Sequence, residues 1–288
     1  MAETLRFDGE IIASRQNRRI VELMKLDDRR ARESTRRFRF DGVKLLCEAI
    51  RRGVELDRVF LCESMAVRVA ERIQTLYGCT LAEAGCPVTG VEDSLFAKIS
   101  QENAPEGVIT VAKYIDKCHK NIIIYNKDEI ALRDDAPVLL LESVRDPLNV
   151  GAVIRSAAAL GVGHLILSAD CADIYHPRAV RAAMGPLFSL PMTRVEDLAA
   201  SIKALRAEGR RVYAAALDDT ALRLGSPEMK AEQGSLPACA VIGNEGHGLS
   251  ADVIAACDRS VYIPMQADTE SLNAGVAAAL LMWELGKK

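Results

Sequence analysis

Apolar residues fall into short blocks along this chain, and the blocks change character near its middle. In SRQNRRIVELMKL, Ile20, Leu23, Met24 and Leu26 recur at helical spacing, with Ser14 placed to cap the start. RFRFDGVKLLCEAIRRG reads as a short strand, a turn at Asp41-Gly42 and a helix stopped by Gly53. LDRVFLCES predicts a strand, MAVRVAERIQTLYG a helix closed by Gly78, CPVTGVEDSLFAKIS an extended piece and a helix, and PEGVITVAKY a strand. Strands alternating with helices predict a smaller α/β domain over residues 1–113. Residues 114–136 have no clear helical period and end in Asp134-Asp135-Ala136-Pro137, which predicts a linker with NIIIY as a candidate edge strand.

From residue 137 the pattern restarts as a second α/β domain running to residue 288. A strand at 138–144 meets a polar turn, and then come helix NVGAVIRSAAALG, strand HLILSA, helix HPRAVRAAM and strand LFSLPMT. Helix VEDLAASIKALRAEG, strands RVYAAAL and ACAVIG, helix LSADVIAAC, strand SVYIPM and a final helix complete it. Such short, near-continuous apolar strands between helices predict a parallel sheet covered on both faces. Ligands of such sheets bind beyond the carboxyl ends of the strands. Three turns there stand out.

In LLLESVRDPLNVGAVIRSAAALG, Asn149 is placed to cap the helix. Arg155 lies six residues further on, among apolar and small residues, where a buried guanidinium needs a partner. An ion pair is one reading of it and a functional group the other. In ACAVIGNEGHGLS, three glycines let the backbone turn tightly, and Glu245 between them is presented rather than packed. This is neither a dinucleotide GxGxxG nor a P-loop. His247 reads as a surface residue. In VYIPMQADTESLNAGVAAALLMWELG, Ser271 can cap the last helix, which would put Asn273 in its first turn, beside the positive end of the dipole. Capping leaves Gln266 to Glu270 unexplained.

Composition narrows the classes. The chain has 288 residues, 49% hydrophobic and 27% charged, room for two ordinary domains. No apolar run reaches the roughly 20 residues that span a bilayer, and no secretory pattern opens the chain, so a cytoplasmic location is expected. Eight cysteines are scattered without a CxxC, and four histidines form no HxxxH pair, so neither metal nor disulfides are expected. Cys47 and Cys239 sit in apolar contexts and read as small core residues. The net charge is −3, yet Arg15, Arg18, Arg19, Arg29, Arg30, Arg32, Arg36, Arg37 and Arg39 crowd the first forty residues. Either they form a salt-bridged helical face or they track phosphates.

Together, DPLNVGAVIR, GNEGHGLS and IPM…ESLNAGVAAALL, in this order, resemble the three motifs of the SpoU/TrmH family of RNA ribose methyltransferases, in the SPOUT superfamily. YHPRAVRAAMGPLFSLP resembles the family's central segment, and the first half resembles a ribosomal-protein-like, RNA-substrate-binding domain. The resemblance implies a parallel sheet with a deep C-terminal trefoil knot, a homodimer, and S-adenosylmethionine held around Gly243, Ile263 and Leu272, with Met265 nearby. It implies catalytic roles for Asn149, Arg155, Glu245, Ser271 and Asn273, and favours RNA contacts by Arg15, Arg18, Arg19, Arg36 and Arg37. The chain departs from the family pattern at Ala183, Ala267, Ala274 and Gly275.

The implied reaction moves the cofactor's methyl group to a ribose 2′-hydroxyl, with ribosomal RNA favoured over transfer RNA because of the appended domain, an argument by analogy. Family members' catalytic arginine is often taken as a base, but a guanidinium keeps its proton in proteins. Arg155 therefore reads as a phosphate ligand and alkoxide stabiliser, oriented by Glu245 and Asn149. Two other classes compete. A nucleotide-dependent oxidoreductase lacks its glycine fingerprint and acidic ribose ligand; a non-catalytic RNA-binding member of the same fold stays open.

Overall fold

The computed structural model describes residues 6–115, 123–124, 132–232, 234–266 and 271–286. The described residues group into two compact units, one within 1–118 plus 175–188 and one within 119–174 plus 189–288.

The first unit opens with α1 (Arg18–Lys25), capped by Asn17, whose side chain accepts from the Arg19 amide at 2.9 Å. Ser14, the expected cap, bonds the Gln16 amide one turn too early. The first α1 residue taken into the core is Ile20, three residues after the capping Asn17. A second helix, α2 (Arg29–Thr35), is absent from the apolar pattern because its only buried residue is Arg32. The Arg32 guanidinium donates to the Leu26 and Asp27 carbonyls at 2.8 and 2.9 Å, satisfying the open end of α1.

Then follow β1 (Arg37–Asp41), α3 (Val43–Arg51), β2 (Leu56–Cys62), α4 (Ala66–Tyr77), β3 (Val88–Val91), α5 (Asp93–Ile99) and β4 (Val108–Lys113). The sheet order is β1-β4-β2-β3, with β4 antiparallel to both neighbours and β3 parallel to β2. Ile20 and Leu23 of α1 pack with Phe60, Phe96, Ile109 and Val111 as the core of one face. Arg39 is fully buried beneath it and donates to the Ile99 carbonyl at 2.6 Å. Arg32 and Arg39 thus leave the candidate phosphate-tracking patch, for a physical reason: both satisfy buried carbonyls.

The second unit begins with β5 (Ile123–Ile124), inside the expected linker, and continues through β6 (Val138–Leu141), α6 (Pro147–Ala159) and β7 (His164–Ser168). After α7 (Pro177–Ala183), which belongs to the first unit, come β8 (Met192–Val195), α8 (Leu198–Ala207), β9 (Val212–Ala215) and β10 (Leu222–Arg223). The chain ends with α9 (Pro227–Ala231), β11 (Cys239–Ile242), α10 (Ala251–Ala256), β12 (Arg259–Tyr262) and α11 (Ala274–Leu285). Strand β8 starts later than LFSLPMT suggests. Met184 takes a positive φ of 56°, Gly185–Phe188 forms a 3-10 turn, and Pro191 carries no amide proton for a ladder.

The sheet order is β10-β12-β9-β11-β6-β7-β8-β5, parallel throughout the described strands. NIIIY therefore does supply an edge strand. Every residue of β6, β7 and β11 is buried, the signature of a sheet covered on both faces. Cys47 and Cys239 are fully buried, as their neighbours imply, and burial pushes the Cys239 thiol up to about 12. Among the described residues, no helix is long and apolar enough to cross a membrane.

One buried polar pair gives the fold a pH dependence. His164, the first residue of β7, has Nε2 2.8 Å from the Thr193 hydroxyl of β8, and burial pushes it from 6.5 down to about 4. The folded chain keeps the imidazole neutral until the pH nears 4, whereas the unfolded chain takes up a proton near 6.5. Between those values the unfolded state binds more protons, so stability is lost as pH falls through the window and is untouched above it. The loss reaches on the order of 3 kcal/mol at the acid end. Urea midpoints of the wild type and His164→Gln, compared at pH 7 and pH 5, should diverge, with the wild type falling further. Parallel behaviour would contradict this assignment.

Candidate active site

The neighbouring strands β6 and β11 deliver two of the singled-out turns to one end of the sheet. The Glu142 amide donates to the Ile242 carbonyl at 2.8 Å, so the two turns leave together. The Glu142 carboxylate then accepts from the Ser250 amide and hydroxyl at 2.8 and 2.6 Å, anchoring the start of α10.

The Gly243–Gly248 turn is a closed loop, with Asn244 and Gly248 exchanging amide–carbonyl bonds at 3.0 and 2.9 Å. A Cβ at Gly243 would stand 2.3 Å from the Gly248 carbonyl carbon, so only glycine fits. Inside the loop the Asn244 Oδ1 accepts from the Gly246 and His247 amides at 2.8 and 3.2 Å. Its Nδ2 donates to the Ser143 carbonyl at 2.8 Å. Ser143 holds a positive φ of 55° and donates through Oγ to Asp170 at 2.6 Å, while its amide bonds Ser168 Oγ at 2.9 Å. Burial works against the Asp170 carboxylate, but hydrogen bonds from Ser143, Ser168 and Arg145 outweigh it and hold the carboxyl below its usual range. These supporting residues, Glu142, Ser143, Asp170 and Asn244, were not legible as a site. The one available signal was an asparagine directly after the glycine of a tight turn, which favours self-bonded loops.

On this frame sits a directed chain of amides. Helix α11 is capped by Asn273, whose Oδ1 accepts from the Gly275 and Val276 amides at 2.9 and 3.4 Å. The helix end therefore fixes which way the amide points, and its Nδ2 donates to Asn149 Oδ1 at 2.8 Å. Asn149 must then present its own Nδ2 outward, and it meets Glu245 Oε1 at 2.5 Å. Residues from all three motifs join in one line.

Two local expectations are corrected here. Asn149 does not cap α6; Asp146 does, accepting from the Leu148 amide at 3.0 Å with Pro147 following. Ser271 does not cap α11; it is exposed two residues before the true cap. Each turn held two good capping residues, and the tertiary partner decided which was spent on the cap. Gly275 suits its place, since a Cβ there would meet Ala152 of α6 at 3.3 Å.

Arg155 is not in this line. It is exposed on α6 and makes no ion pair with any described residue, contrary to the expected burial. It shares a stripe with Leu148, Ala152 and Ala159, at helical spacing, beside α11. On α11, Val276, Leu280 and Trp283 form a matching exposed stripe, with Trp283 59% exposed. Of the expected cofactor contacts, Gly243 follows β11, half-buried Ile263 and exposed Met265 follow β12, and half-buried Leu272 precedes α11. Strand β9 lies between β11 and β12, and the turn after it carries Leu217, 83% exposed and not singled out beforehand. Gln266 is exposed; Asp268, Thr269, Glu270 and Ala267 lie outside the described residues. His247 is exposed, as expected.

The arginines expected to meet RNA lie in the first unit. Arg15 is exposed and unpaired among the described residues, and Arg18 is exposed beside Glu22 at 2.8 Å. Arg36 lies 4.6 Å over the Tyr114 ring, Arg19 reaches Asp8 at 3.3 Å and Arg37 reaches Asp57 at 2.9 Å.

Residues 136–283 match the model of the SpoU rRNA Methylase family, and residues 17–110 match that of the MRM3-like substrate binding domain. The chain is 28% identical over 274 residues to the Bacillus subtilis 23S rRNA (guanosine(2553)-2′-O)-methyltransferase RlmP, covering 95% of this chain and 98% of that one. Its fold is like that of an AdoMet-bound rRNA methyltransferase from Sinorhizobium meliloti, at TM-score 0.78 and 24% identity, over 96% and 97% of the two chains. It is also similar to the SpoU methyltransferase AviRb of Streptomyces viridochromogenes, solved with AdoMet, at TM-score 0.73 and 26% identity, over 94% and 98%. With three motifs meeting at the carboxyl ends of a parallel sheet and a family match over more than half its length, this chain belongs to the SpoU rRNA methylase family.

Proposed function

We propose that this chain methylates a ribose 2′-hydroxyl of ribosomal RNA, using S-adenosylmethionine. The observation that carries the reading is the Glu245–Asn149–Asn273 line, which hydrogen-bonds residues of all three motifs to one another. The substrate class follows from the family and from relatives named as ribosomal RNA 2′-O-methyltransferases.

The residues present fit the cofactor. The ends of β11, β9 and β12 lie side by side, and the large apolar side chains of Leu217 and Met265 stand exposed there. Gly243, Ile263 and Leu272 would hold the adenine and ribose through their main chain, with Met265 against them. S-adenosylmethionine brings a methyl group already activated on sulfur. The protein has to align the ribose oxygen with that carbon, which is worth several kcal/mol in such reactions. Glu245, Asn149, Asn273 and Ser271 line the ribose side of the site. Arg155 binds the adjacent phosphate and stabilises the developing alkoxide while keeping its own proton, and the proton of the ribose hydroxyl leaves to another acceptor.

Within one chain Asn149 bonds Glu245 and Asn273 and makes no hydrogen bond to the Arg155 of its own helix. The exposed α6 and α11 stripes give the alternative. An apolar face that carries one unpaired arginine suits a homodimer in which Arg155 serves the other copy's site. The trefoil knot expected for the family, with the segment after β12 threaded before α11, is part of the same proposal. So are a cytoplasmic location and the division into an RNA-binding domain over 1–113, a linker over 114–136 and a methyltransferase domain over 137–288. Arg15, Arg18, Arg19, Arg36 and Arg37 supply phosphate contacts from the first domain. Ribose methylation mapped across total RNA, with and without the gene, should lose one ribosomal position on deletion. An unchanged map would refute the reading.

A further inference from the structure

Arg19 and Arg37, two of the arginines expected to meet RNA, converge with a third that sequence reasoning missed. Arg58 of β2 joins them around a cavity of about 200 Å³ between α1 and the first unit's sheet. Its floor is apolar, made by Leu23, Phe60 and Val111, all nearly fully buried. The three guanidiniums share two carboxylates. Asp8 takes Arg58 and Arg19, and Asp57 takes Arg37 at 2.9 Å. Glu22, also on the rim, is engaged by Arg18. The rim therefore keeps a positive excess over an apolar floor.

We infer that this cavity is a subsite for one unpaired nucleobase of single-stranded RNA, its ring stacked on the Arg37 guanidinium and its flanking phosphate held by Arg19 and Arg37. The inference rests on the RNA reading above and names where the first unit takes hold. Guanidinium planes stack on bases and pair phosphates bidentately, as an ammonium group cannot. Single-stranded RNA is commonly recognised through splayed bases on such planes. The cavity has room for one flat ring and is too small for a folded element.

The test compares short labelled RNAs binding the full chain, one with ordinary bases and one of the same length with abasic riboses. The wild type should bind the base-bearing RNA about tenfold more tightly. Arg37→Lys keeps the charge but loses the stacking plane, so its preference should fall toward unity while abasic binding holds. Arg37→Met should lose the preference and part of the abasic affinity; Arg68→Met, an exposed arginine on α4, should change neither. Cofactor affinity measured on the same samples reports whether each variant is folded. Equal wild-type binding of the two RNAs, or an undiminished preference in both Arg37 variants, overturns the pocket and leaves the RNA reading standing. Wild-type binding of neither RNA overturns both.

Discussion

Arg155→Ala should cost roughly 10²–10³-fold in kcat, the scale of losing one group that stabilises charge in the transition state. Affinity for S-adenosylmethionine should stay within about twofold, because the residues proposed to hold the cofactor are Gly243, Ile263, Met265 and Leu272 and do not include Arg155. Stability should change by no more than about 0.5 kcal/mol, since the side chain is exposed and unpaired among the described residues. The sharper experiment mixes two inactive variants. If Arg155 serves the other copy's site, an Arg155→Ala chain and a Glu245→Gln chain can together form one intact site. Random pairing of equal amounts should then restore about a quarter of wild-type activity. A site built within one chain would restore none, because each copy would still lack one member. Near-normal methylation by Arg155→Ala alone would remove the residue from the mechanism altogether.

Asn273 does two jobs, and two substitutions separate them. Asn273→Ala removes the cap of α11 and should cost about 1 kcal/mol of stability. It also removes the donor to Asn149. Asn273→Asp keeps an acceptor facing the Gly275 and Val276 amides and places a negative charge at the positive helix end, so stability should hold. It cannot donate to Asn149. Either Asn149 keeps its orientation with an acceptor facing an acceptor, or it turns and presents its own oxygen to Glu245. Both outcomes break the line that places Glu245, and methyl transfer should fall by about 10²-fold, as for a displaced reacting group. Full activity in Asn273→Asp would mean that the amide line is only structural.

Much of this fold was legible because its signals were periodic. The continuous apolar strands VLLL and CAVI announced a doubly covered parallel sheet, and both are buried throughout. Helix α2 was not legible, since its one buried residue is an arginine that caps α1 rather than an apolar residue at helical spacing. The site was half legible. Motif resemblance singled out Asn149, Glu245 and Asn273, but local capping rules assigned the wrong cap at both turns. Asp146 and Asn149, or Ser271 and Asn273, are equally good caps when only neighbours are considered. The choice was made by contacts across 96 and 124 residues of chain, which no local rule contains. Arg155 shows the opposite error. Its small, apolar neighbours implied burial, and they do line a face, but that face is open in the single chain. Arg58 was hidden for another reason: a lone arginine in LDRVFLCES looks like any exposed strand residue until α1 and β1 close around it.

The measurement that bears most directly on the account uses purified protein, S-adenosylmethionine with an isotopically labelled methyl group, and ribosomal RNA from cells lacking the gene. Digestion to nucleosides and mass spectrometry should find the label in a single 2′-O-methylated nucleoside, approaching one per RNA molecule. Label in a base, or no label in RNA at all while the protein is folded and binds cofactor, would contradict it.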